Sequence, residues 1–194
     1  MEFFKEQKSE DNEQEYDPKK IAEWKRKRAE VDEIVDNLGK GIDGGIKDVV
    51  TALLVHNFST SGSCEGHVNE KGHGYPFPWI EVYTPAPEGW KENEEKKKEW
   101  AVENLRQQKR MMGDLDEFYK DRHPPIDMRL IFRQIGMFGG FRLQSMGAEV
   151  MVLLTLEEQK EKLRIYRQEM NDFAEFLKEK YLVKLKKVLG YTQL

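Results

Sequence analysis

Two periodicities alternate along this chain, one of helices and one of strands. Asp17 and Pro18 supply a cap and a first-turn proline, and Ile21, Trp24, Val31, Val35 and Leu38 follow with one face apolar, which predicts a first helix. The glycines between Gly39 and Gly45 break it. Ile46, Val49, Val50, Leu53 and Leu54 then predict a shorter, more buried helix ending near His56 and Asn57. Residues 58–64 are rich in Ser and Thr and read as a strand that delivers a Ser-Cys-Glu-Gly-His loop at its end. In residues 78–84, Trp79, Glu81 and Tyr83 alternate with Ile80 and Val82, the signature of a half-buried strand that Pro85 and Pro87 end.

Residues 91–122 mix acids and bases, with Leu105, Met112, Leu115 and Tyr119 on one stripe, so a long exposed helix is predicted, interrupted near Gly113. His123, Pro124 and Pro125 stop it. Residues 128–134 and 140–146 read as an antiparallel hairpin around a glycine-rich turn, and Met151 to Leu154 as a further short strand. Thr155 and Glu158 have capping-box spacing for a last helix, along which Leu163, Tyr166, Met170, Phe173 and Leu177 recur every three or four residues. The elements together predict an α+β fold: a small antiparallel or mixed sheet of about four strands covered by helices, two of them long and charged. Residues 1–16 read as a disordered acidic tail, nearly free of aliphatics, and residues 17–194 as one domain.

Charge and cysteine usage narrow the function classes. A net charge of −4 gives no overall electrostatic reason to expect binding to duplex DNA or to an anionic membrane. No run approaches the roughly 18 apolar residues of a membrane span, and the first residues lack the apolar stretch of a signal peptide. Cys64 is the only cysteine, so no intramolecular disulfide forms and a cytoplasmic location is expected.

The chemistry concentrates in residues 61–67. Gly62 and Gly66 free backbone N–H groups to face an anion, Ser61 and Ser63 add hydroxyl donors, and Glu65 adds a carboxylate. Cys64 and His67 are the candidate catalytic pair, because a thiolate beside an imidazole is a nucleophile. The competing reading makes this a structural turn with a buried thiol. If a metal is bound, Cys64, His67 and His73 are the candidate ligands, although their spacing lacks the paired cysteines of a zinc motif. His56 reads as a core or capping histidine. A second feature is a local basic face carrying Arg129, Arg133, Arg142 and Gln144, with no acid in residues 128–148. If Trp79 and Glu81 share it, aromatics and arginines would line a pocket for a small anionic ligand or nucleotide.

The box of residues 60–67 followed by Pro78, Trp79, Ile80 and Glu81 resembles a group of bacterial and phage proteins of unassigned activity that carry an SCxGH box and a PW strand. More distantly it is similar to the wybutosine-synthesis methyltransferase family, whose TTSSCSGR box Thr60, Ser63, Cys64 and Gly66 match, with His67 in place of its arginine and Gly62 in place of a serine. The second likeness implies RNA or nucleotide modification using Cys64 or His67. No GxGxxG followed by an acid at Rossmann spacing is present. Three functions are thus in view: a small anionic or nucleotide-like ligand bound at the loop, a nucleotide-modifying enzyme, and a scaffold whose long helices bind a partner protein or self-associate.

Overall fold

The computed structural model describes residues 15–36, 38–68 and 75–184. Its helices are α1 (Pro18–Glu33), α2 (Lys47–Val55), α3 (Glu94–Phe118) and α4 (Leu156–Leu182); its strands are β1 (Thr60–Cys64), β2 (Trp79–Val82), β3 (Leu130–Ile135) and β4 (Gly140–Ser145). The strands form one antiparallel sheet in the order β1-β2-β4-β3. The fold is α+β, with α3 and α4 the two long charged helices, 25 and 27 residues in length.

Alternation along the strands decides which side packs. Ile80 and Val82 on β2 pair with Leu143 and Phe141 on β4, and all four are buried against Val49 and Leu53 of α2, Met111 and Leu115 of α3, and Met170, Phe173 and Leu177 of α4. Burying a side chain of this size is worth about 1.5–3 kcal/mol each, so this one layer of helix on sheet carries most of the fold. The opposite face holds Trp79, Glu81, Arg142 and Gln144, partly covered by a second cluster of Phe77, Ala148, Met151, Leu163 and Tyr166. Asp17 caps α1 with Pro18 at its first turn, and Thr155 and Glu158 form the expected capping box.

Four expectations are corrected. The first helix ends at Glu33, which leaves Val35 and Leu38 exposed beyond it. Gly113 does not interrupt α3. Met151 to Leu154 is no strand, since residues Met146–Leu153 form 3-10 turns. Tyr16, placed in the tail by its sequence, makes an isolated antiparallel bridge with Val183; residues 1–14 lie outside the described residues. No helix among the described residues is long and apolar enough to cross a membrane.

Candidate functional site

β1 is an edge strand, and its pairing with β2 carries a bulge: Thr60 lies opposite Val82, but Gly62 lies opposite Glu81, so Ser61 is the extra residue. From there Ser63 faces Ile80 and Cys64 faces Trp79. Cys64 therefore leaves the sheet on the face away from the main helical core. Beyond it the chain turns through Gly66 at φ +82°, where a Cβ would lie 2.6 Å from Leu163 Cδ1 and from the Phe77 carbonyl carbon. Only glycine fits that turn.

The turn is clamped from α4. Arg167 Nε donates to the Glu65 carbonyl at 2.8 Å, and its Nη2 donates to the Glu65 carboxylate at 3.1 Å and the Gly66 carbonyl at 2.7 Å. The other carboxylate oxygen of Glu65 accepts from the Gly45 N–H at 2.6 Å. Glu65 thus ties the loop to the segment before α2.

That segment delivers Asp43. Its Oδ2 accepts from the Glu65 N–H at 3.1 Å and lies 3.2 Å from His67 Nε2. Single ligand atoms of Asp43, Cys64 and His67 all fall within 4.8 Å of one another. Asp43 and Cys64 are half-buried while His67 is exposed. Burial pushes the Cys64 thiol up; the hydrogen bond from the Gly66 N–H opposes it, and the Asp43 and Glu65 carboxylates add to the rise in smaller measure. This is the reverse of what a thiolate nucleophile needs. His73 lies outside the described residues.

A cleft of about 450 Å³ opens between residues 34–43 and β1. Ser61, Ser63 and Trp79, three of the residues singled out from the sequence, line it together with Thr60, Lys40 and Asp43. Asp43 belongs both to this cleft and to the group with Cys64 and His67.

The arginines do not gather at the loop. Arg142 pairs with Glu81 at 2.6 Å and lies over the Trp79 and Tyr75 rings, at 4.3 and 5.0 Å from their centroids. The register does place Trp79, Glu81, Arg142, Gln144 and Arg133 on one face, where Arg142 and Glu81 pair with each other while the buried Trp79 Nε1, Arg142 Nε and both side-chain polar atoms of Gln144 have no hydrogen-bond partner among the described residues. Arg133 pairs with Glu149 of the 3-10 segment, and Arg129, which precedes β3, stacks on Tyr119 at 4.6 Å. Gln144 is 1% exposed. His56 occupies the C-cap position of α2, and its Nε2 donates to the Leu177 carbonyl of α4 at 2.8 Å.

Sequence reading missed Asp43, Lys40 and Arg167. Asp43 and Lys40 sit inside the glycine cluster that reads only as a helix breaker, and Arg167 is one position off the apolar seam of α4, where a solvated charge is the ordinary expectation. No family model, no curated protein and no solved structure matches the chain, so the site is read from its own residues.

Proposed function

We propose that the protein binds a small anionic or nucleotide-like ligand in the cleft between residues 34–43 and β1. The observation that carries this reading is the convergence of Ser61, Ser63 and Trp79 on one cleft with Lys40. Its volume of about 450 Å³ falls in the usual range of small-molecule sites, about 300–1,000 Å³. Thr60, Ser61 and Ser63 offer hydroxyl donors, and Lys40 is the one cation lining the cleft among the described residues. Lys40 takes the charge-neutralising part expected of Arg129, Arg133 and Arg142, which are engaged elsewhere.

The test is ligand-induced thermal stabilisation across inorganic phosphate, nucleoside mono- and triphosphates and small carboxylates, followed by calorimetry on any member that stabilises. Lys40→Met is expected to weaken that member about tenfold or more, the worth of one charge-assisted hydrogen bond. Ser63→Ala is expected to weaken it less. A panel without any stabilising member, or binding that is equal in the wild type and Lys40→Met, overturns the reading.

A further inference from the structure

We propose that Asp43, Cys64 and His67 bind one divalent transition-metal ion of the zinc class, with a coordination position left open to the cleft. The inference rests on the cleft reading in one respect: Asp43 lines the cleft and belongs to the cluster.

The donor set comes first. A thiol, an imidazole and a carboxylate are the three side chains from which three-ligand zinc sites are built, and this mixture of soft and hard donors excludes calcium and magnesium, which take oxygen alone. Three protein ligands leave the fourth tetrahedral position for water or an anionic ligand. The geometry is already close to that of such a centre. The ligand atoms lie within 4.8 Å of one another, and the Asp43 to His67 separation is 3.2 Å; ligands about 2.0–2.3 Å from a tetrahedral zinc need only a modest contraction.

The surroundings hold these donors in place. The Glu65 N–H fixes Asp43 Oδ2, the Gly66 N–H donates to Cys64 Sγ at 3.3 Å, and Arg167 clamps the loop that carries both Cys64 and His67. Outer contacts of this kind orient metal ligands and are themselves worth a large share of affinity.

The charge of the cleft supports the same assignment. The cleft sets one lysine, Lys40, against two carboxylates, Asp36 and Asp43, a poor balance for an anion. When the ion binds, the Cys64 thiol gives its proton to solvent and its sulfur lone pair forms the metal bond, Asp43 binds as the carboxylate, and His67 binds through a neutral ring nitrogen. Two positive charges then meet two negative ligands, the centre becomes neutral, and Lys40 faces Asp36 as the one carboxylate of the cleft lining not bound to the ion. The metal thereby removes the excess negative charge of the cleft and offers an anionic ligand an electrophilic ion at the open position.

The experiment uses the metal alone, so that failure of the cleft reading and failure of this one are told apart. The full-length protein, stripped with a chelator, is titrated with Co²⁺ and then Zn²⁺ in the absence of any other ligand. One ion per chain is expected, with a thiolate-to-cobalt charge-transfer band and d–d bands of tetrahedral intensity. Cys64→Ser and His67→Ala are each expected to weaken binding more than about 100-fold, the upper end of what outer-contact changes alone produce, and Cys64→Ala to abolish the charge-transfer band. Circular dichroism and thermal unfolding of the metal-free variants separate lost ligation from lost folding. If a variant does not fold, Asp43→Asn, which keeps the shape of the side chain, is expected to reduce affinity at least about tenfold. Absence of the charge-transfer band in the wild type, or equal affinity in wild type and folded variants, overturns the proposal.

Discussion

Arg167 reaches across 102 residues of chain to hold Glu65 by both its backbone carbonyl, at 2.8 Å, and its carboxylate, at 3.1 Å. One guanidinium therefore fixes the position and the orientation of the residue between Cys64 and Gly66. Replacement by Met keeps the aliphatic stem but removes these bonds and the one to the Gly66 carbonyl. Arg167→Met is expected to lower stability by about 2–4 kcal/mol, read by urea unfolding, because it leaves half-buried acceptors without a donor. Arg167→Lys is expected to recover only a minor part, since an ammonium cannot reproduce the fork.

The turn itself supplies a second expectation. At Gly66 a Cβ meets both the Leu163 side chain and fixed backbone at Phe77 and Pro78, in a conformation with φ +82°. Gly66→Ala is expected to cost about 2 kcal/mol or more, from strain and from displacement of the loop. The denaturation midpoint should fall, and the Cys64 thiol should become more accessible to a neutral disulfide reagent.

In metal-free protein the Cys64 thiol titrates above its ordinary value, first through burial and then through Asp43. Alkylation by iodoacetamide should therefore reach half its maximal rate above about pH 8.5. Asp43→Asn should bring that midpoint down. The folded protein holds this proton more tightly than the unfolded chain, so the associated stability is present in full below the unfolded thiol value of about 8.5 and is lost as pH rises through the folded value. Urea midpoints should fall more steeply on the alkaline side for wild type than for Cys64→Ala.

Asn104 joins α3 to the sheet from a position 1% exposed. Its Oδ1 accepts from the Thr84 N–H at 2.8 Å and hydroxyl at 2.9 Å, and its Nδ2 donates to the Phe138 carbonyl at 2.9 Å. Asn104→Leu strands all three groups, and a loss of about 2–4 kcal/mol is expected by chemical denaturation. Far-ultraviolet circular dichroism should stay unchanged, because the helix is anchored independently at Met111 and Leu115.

The strands were legible because Ile80, Val82, Phe141 and Leu143 alternate with polar residues, and a half-buried sheet admits only that pattern. The seam of α4 was legible for the same reason at a different period. The ends of elements were less so. Beyond α1, Val35 and Leu38 keep the helical spacing, yet Asp36 accepts from the N–H groups of Leu38 and Lys40 and so competes with helical pairing. Gly113 is exposed with open space around it, and its cost of about 1 kcal/mol is too small to break a helix held two residues to either side by Met111 and Leu115.

For the site, the loop was visible as a dense local motif, whereas its partners were not. Asp43 lies 24 residues from His67 and Arg167 lies 101 from Gly66, distances at which a single sequence offers no pairing signal. Of the basic face, Arg133, Arg142 and Gln144 do share one face of the sheet while Arg129 lies outside β3, but alternation fixes only the side on which Arg142 stands. It does not disclose that Glu81 meets it there.

The extra residue at Ser61 has a consequence for how this protein can change. Were Ser61 paired in the ladder instead of bulged out, Cys64 would fall into step with Ile80 and Val82 and turn toward the aliphatic interior, while Ser63 would take its place on the far side of the sheet. A single-codon deletion of Ser61 would remove only the bulge and leave Gly62, Ser63 and Cys64 opposite Glu81, Ile80 and Trp79, so Cys64 keeps its face as long as the bulge and its extra residue are lost together. The motif acquires its meaning from the reading frame of the strand that carries it.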